Sequence, residues 1–238
     1  MKTILEICRE VADLSAVKRP DDLFNTTSQQ NNIFLSVAKS TLDSLLRYGD
    51  WQELIKDGWI KTVKGKKQYI INDYIPDFYS LLNNTLYIKD TNEKVIGSVT
   101  PEQWMRDKCS IGGTLGTKFK FQNGKLVFSD EPKNRVKIVF QYRSNNIVWD
   151  FKTFEEKNTL TANTDVPIFD EYLVKLGILW RWLKRNGLDY SEEYVEYQRE
   201  LKKRFGTSLA VSDINLAKNA VSNDEGVKIN VCTIYNKG

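Results

Sequence analysis

The sequence predicts an α+β protein: a helical bundle formed by N- and C-terminal helix pairs, a β-rich inserted domain between them, and an extended C-terminal arm. Three observations predict it. Apolar residues recur at helical spacing in the first and last thirds of the chain. The middle third alternates apolar and polar residues between turn signals. Charge follows the same division: of the net +4 over 238 residues, residues 51–150 carry an excess of +5 and the two ends are close to neutral.

The elements follow in order. Ile4, Cys8, Val11 and Ala12 share one helical face, with Leu5 and Leu14 beside it, and Pro20 stops the pattern. Thr27, with Gln30 three residues on, has the spacing of a capping box. Phe34, Val37, Ala38, Thr41, Leu42, Leu45 and Leu46 then form a broad stripe, and Gly49 is placed to end the helix in the left-handed region. In the middle third, residues 59–63 and 68–71 flank Lys64-Gly65-Lys66-Lys67 as a hairpin. Residues 83–89 and 94–99 flank a second turn. Thr100-Pro101-Glu102-Gln103 is a helix start with cap, Pro at the first position and Gln three residues after the cap. Asn123-Gly124, between residues 118–121 and 125–128, is the strongest hairpin signal. Val136, Ile138 and Phe140 alternate, so one face of that strand is buried.

Helical periodicity returns with Ile168, Phe169, Tyr172, Leu173, Leu176, Leu179, Trp180 and Leu183. Gly187 closes that helix and Ser191 caps the next, where Tyr194, Tyr197, Leu201 and Phe205 recur at spacings of three and four. Neither helix pair encloses a core alone, so the two pack together. The organisation is residues 1–52 for the N-terminal helices, 53–160 for the β-rich domain, 161–206 for the C-terminal helices and 207–238 for the arm.

Composition excludes several chemistries. The chain has no histidine, which removes Ser-His and Cys-His pairs and every His-containing metal site. Cys8, Cys109 and Cys232 are far apart and odd in number, so neither a zinc cluster nor a disulfide framework is expected, and a reduced, intracellular setting fits. No leader-like apolar run opens the chain, no stretch approaches a membrane span, and no spacing suits Mg²⁺ or Ca²⁺. The Gly112-Gly113-Thr114-Leu115-Gly116 loop lacks the ending of a phosphate-binding loop and reads as an inter-strand connection. Glu155-Glu156 and Glu192-Glu193 are neighbours that point about 100° apart on a helix, not a shared carboxylate site. No cofactor and no enzymatic activity are expected.

Two surfaces remain as candidates. Lys61, Lys64, Lys66 and Lys67 surround a loop tip near Trp59, Tyr69 and Tyr74, the composition of a charged partner surface. The second is an assembly interface. On the helical wheel Trp180 lies on the apolar face, and Trp182 lies off it beside Arg181 and Arg185, free to cover a neighbouring helix or a partner chain. Val227, Ile229, Val231, Ile234 and Tyr235 form a β-prone patch in the arm, suited to adding a strand to a second subunit.

Several strings, in order, resemble the head-to-tail adaptor proteins of short-tailed bacteriophages, also called tail-completion or tail tubular A-type proteins. They are Leu5-Glu6-Ile7-Cys8; Leu45-Leu46-Arg47-Tyr48-Gly49-Asp50-Trp51-Gln52-Glu53-Leu54; Pro76-Asp77-Phe78 with Asn83-Asn84-Thr85-Leu86-Tyr87; Val95-Ile96-Gly97-Ser98-Val99-Thr100-Pro101-Glu102-Gln103-Trp104; and Trp180-Arg181-Trp182-Leu183-Lys184-Arg185-Asn186-Gly187-Leu188-Asp189-Tyr190. The resemblance spans residues 4–205. It implies a non-catalytic virion protein made in the host cytoplasm, forming a ring, typically dodecameric, between the portal protein and the tail nozzle or tail tube protein. Double-stranded DNA would be only cargo in the lumen, and no membrane is involved. The competing expectation is a nucleic-acid-binding domain that uses the basic β-rich segment.

Overall fold

The computed structural model describes residues 1–109 and 117–208. It shows a mixed α+β fold in which helices from both ends of the chain flank a β-rich middle region. Of the arm expected over residues 207–238, the first two residues continue the last helix, and residues 209–238, with Val227, Ile229, Val231, Ile234 and Tyr235, lie outside the described residues, as do Gly112, Gly113 and Gly116 of the glycine-rich loop.

Helix α1 (Ile4–Leu14) opens with a complete capping box: Thr3 Oγ1 accepts from the Glu6 N–H, and the Glu6 carboxylate accepts from the Thr3 N–H. It buries Ile4, Ile7, Cys8, Val11 and Ala12. Helix α2 (Gln29–Tyr48) is capped by Ser28, not Thr27. The Thr26-Thr27-Ser28 run offers three hydroxyls. The choice falls on Ser28 because Asn31 is tied back through its side-chain amide to Asp22 O (3.0 Å) and Thr26 Oγ1 (3.3 Å), which places its own N–H over Ser28 Oγ.

Gly49 ends α2 but is not left-handed; its φ of 176° is extended backbone. Glycine is needed there for space instead, because a Cβ would lie 2.4 Å from Phe205 Cζ.

The middle region starts with β1 (Ile55–Lys61), β2 (Gln68–Ile70), β3 (Phe78–Leu81), β4 (Tyr87–Ile88) and β5 (Glu93–Lys94). The short helix α3 (Pro101–Cys109) follows, then β6 (Phe119–Gln122), β7 (Lys125–Phe128) and β8 (Lys137–Ser144). The β4–β5 and β6–β7 hairpins form as expected, the latter with Asn123 and Gly124 both at positive φ. The start of α3 is a capping box between Thr100 and Gln103.

The expected β1–β2 hairpin does not form. β1 pairs antiparallel with β8 over seven residues, from Ile55↔Arg143 to Lys61↔Lys137, while β2 pairs with β7. The Lys64–Lys67 turn therefore carries the chain from one sheet to the other. The long β8, with Ile138, Phe140 and Tyr142 inward, gathers β1, β3 and β4, and a seven-residue register outweighs a three-residue local one.

Three short strands, β9 (Val148–Trp149), β10 (Glu156–Lys157) and β11 (Val166–Pro167), form a separate sheet before α4 (Glu171–Arg185) and α5 (Ser191–Ser208). Asp170, which the periodicity does not reveal, caps α4 by accepting from the Tyr172 and Leu173 N–H groups.

Two apolar cores result. One joins α1, α2, α4 and α5 and includes Trp51, Leu54 and Phe169. The other joins the strands β1 to β8 through Ile60, Tyr69, Phe78, Phe119, Phe128, Ile138 and Phe140. Ile147, Val148 and Leu160, expected in the β-rich segment, belong to the helical core, so core membership changes between Tyr142 and Ile147 and not near residue 160. Polar contacts hold the junction. Arg143 reaches Gly49 O and the Asp50 carboxylate (3.0 Å), and Lys56 bridges Asp77 and Glu156.

Candidate functional site

The two surfaces expected from sequence fare differently. Trp182 is 5% exposed and stacked on Phe34 inside the helical core, whereas Trp180 is only half-buried. Trp182 thus covers a neighbouring helix, α2, and Trp180 packs against the same core without being fully enclosed. The α2 helix crosses α4 on the side of Trp182, and α5 covers only part of Trp180, whose ring meets Tyr190, Tyr194 and Tyr197. Trp182 offers no surface to a partner.

Arg181 is also committed internally. Its guanidinium donates to Gly177 O (3.0 Å) and Ser44 Oγ (2.6 Å) and lies 4.3 Å over the Trp180 ring. Burial pushes its pKa below the ordinary guanidinium value, against the opposing pull of Tyr197 and Tyr194. Of the three helix residues proposed for assembly, only Arg185 is exposed.

The basic tip is built with care. Tyr69, fully buried, receives the Val63 N–H on its hydroxyl (2.9 Å) and donates to Lys66 O (3.0 Å). Asn134 Oδ1 accepts from the Lys64 N–H (3.1 Å), and the Glu131 carboxylate accepts from the Gly65 N–H. These bonds fix the backbone and leave the side chains of Lys61, Lys64, Lys66 and Lys67 exposed. Lys66 lies 5.1 Å from the Tyr69 ring centre, and Lys67 reaches Ser129 O.

The tip continues onto the outer face of the β1–β8–β4 sheet. Because β1 pairs with β8, Lys61 stands directly opposite Lys137. β4 joins the other edge of β8 with Tyr87↔Val139 and Ile88↔Ile138, and the Lys89 N–H donates to Lys137 O (2.9 Å), which extends that register by one residue. Lys61, Lys137 and Lys89 therefore form one row across three neighbouring strands. The next row on the same face is Trp59, Val139 and Tyr87, and the one after is Asp57, Gln141 and Thr85. Trp59 is 52% exposed, and the Lys137 ammonium sits 4.1 Å from its ring centre. A groove of about 590 Å³ runs along these rows, also bordered by Asn84 and Gly58.

Lys61 and Trp59 stand out in the sequence as neighbours of the basic tip, whereas Lys89, Lys137 and Tyr87 do not. They lie 28, 76 and 26 residues from Lys61 in the chain, and only strand pairing brings them together.

Cys8 is enclosed in the helical core, and burial pushes its thiol up to about 12. Among the described residues no three His, Cys, Asp or Glu side chains are grouped to hold a metal ion. No described helix is long and apolar enough to cross a membrane. Neither a family model nor a curated protein matches the chain.

Proposed function

We propose that the chain is a virion structural protein: a head-to-tail adaptor of a short-tailed bacteriophage, forming a ring between the portal and the tail nozzle and extending the DNA channel. The supporting observation is the joining of α1 and α2 with α4 and α5 in one helical core, with a β-rich region between them, in the element order that the adaptor-like strings follow. Residues within those strings hold that core. Trp51 packs edge-on against Phe169 and Phe205, and Trp182 stacks on Phe34.

In this reading α1, α2, α4 and α5 act as a bundle that meets neighbouring subunits and the portal. Subunit contacts are heterologous, head to tail, and close into a ring, twelve-fold as is typical of such adaptors. The β-rich region faces the tail, DNA passes through the lumen as cargo, and the protein performs no catalysis. Its place is the virion, at the head–tail interface.

The test is native mass spectrometry and negative-stain electron microscopy of the full chain, alone and with the portal protein of the same phage. A ring seated on the portal is the expected result. A chain that stays monomeric in both conditions overturns the reading.

A further inference from the structure

We infer that the outer face of the β1–β8–β4 sheet binds single-stranded nucleic acid, with Lys61, Lys137 and Lys89 on phosphates and Trp59 and Tyr87 against bases. The first ground is electrostatic. Like charges placed directly opposite each other on neighbouring strands destabilise a sheet. Here three lysines share one row, and among the described residues none of them has a carboxylate partner, although nearby Lys56 and Arg143 are both paired. Strand spacing of about 4.8 Å makes the row roughly 10 Å wide, which lets the long lysine stems meet successive phosphates. Lys64, Lys66 and Lys67 extend the positive surface at the adjoining tip.

The second ground is the row beneath. Trp59 and Tyr87 lie on the two strands flanking β8 and border the same open groove. Aromatic faces beside a cationic track are the means by which proteins hold single strands without reading sequence. Asn84, at the groove edge, has no side-chain hydrogen bond among the described residues and can address base edges. A duplex hides its bases and leaves Trp59 and Tyr87 without a role.

The third ground is residue type. The cations of the row and of residues 61–67 are all lysine, and lysine is depleted at protein–protein interfaces, where arginine is enriched. Lysine binds phosphate as a point charge without the bidentate geometry of arginine. That chemistry favours nucleic acid over an acidic polypeptide.

The experiment is fluorescence anisotropy of the full chain with a fluorescein-labelled 20-nucleotide oligothymidylate across a salt series. Three phosphate contacts predict a slope of log K against log salt near −2, and each Lys→Ala change at positions 61, 89 or 137 lowers its magnitude by about 0.7. Lys→Arg at the same positions keeps the slope. Trp59→Ala weakens binding roughly tenfold with the slope unchanged, the mark of lost stacking. Far-UV circular dichroism of each variant verifies folding.

The inference is overturned if wild type does not bind the oligonucleotide, or if folded Trp59→Ala binds as wild type does. Equal displacement by polyglutamate or by a duplex of the same phosphate count also overturns it. The inference is independent of ring assembly: a chain that forms no ring can still bind the oligonucleotide, and a ring can form without this affinity.

Discussion

The rings of Phe34 and Trp182 stack with centroids 5.6 Å apart and planes 17° from parallel. This contact joins α2, from the start of the chain, to α4, from its last third, across 148 residues of sequence. Trp182→Ala is expected to destabilise the fold by about 3–5 kcal/mol, as for other buried aromatic truncations. Arg185→Ala, three residues on and exposed, should change stability by no more than about 0.5 kcal/mol. Urea unfolding followed by tryptophan fluorescence checks both, and a Trp182→Ala cost below that of Arg185→Ala would refute the packing account.

Gly49 and Phe205 are expected to be coupled. The glycine sits in extended backbone that any residue adopts, so a substitution there meets only a steric obstacle, the Phe205 ring. Gly49→Ala should cost about 1–3 kcal/mol by overpacking. In the background of Phe205→Leu, whose side chain leaves more room, most of that increment should vanish. A double-mutant cycle with no coupling would show that Gly49 is required for a different reason.

The lysine row predicts a trade of stability against binding. Lys61→Glu places a carboxylate opposite Lys137 and should stabilise the sheet by roughly 0.2–1 kcal/mol at low salt. The gain should fade toward 1 M salt, where charges are screened beyond about 3 Å. The same variant should lose oligonucleotide affinity. Thermal melts at two salt concentrations, beside the anisotropy titration, read both effects.

Asp77 makes the junction between the two cores sensitive to acid. Burial alone would raise its pKa, but hydrogen bonds from Lys56, Ser144 and Tyr142 outweigh that and hold the carboxyl below its usual range. A depressed folded pKa means that stability is fully present above the unfolded value, near 3.9. It is lost as pH falls through the lower folded value. Wild type should therefore lose stability as pH falls from the unfolded value through the lower folded one, and Asp77→Asn should be less stable at neutral pH with a shallower acid limb. Equal acid slopes for the two proteins would count against this assignment.

Much of the fold was legible because it rests on local chemistry. The helix faces of α1 and α2, the Thr100 and Gln103 capping box and the Asn123-Gly124 turn depend on residues within one or two turns of each other. The failures share one cause. Lys64–Lys67 looked like a hairpin because a turn signal does not name the strand beyond it, and β8 competed successfully for β1. Trp182 is more enclosed than Trp180 because the burial of each depends on where α2 and α5 cross α4, which the helical wheel does not show.

By itself the sequence determined the α+β class, the helical ends around a β-rich middle, the absence of histidine chemistry and the location of excess positive charge in residues 51–150. Periodicity, caps, turns and composition are properties of neighbouring residues, so they can be read along the chain. Tertiary structure alone decided that Lys61, Lys137 and Lys89 stand in one row above Trp59, Val139 and Tyr87. Strand partners and register are set by competition among distant segments for a shared core, and a one-residue slip would have turned those side chains to the opposite face.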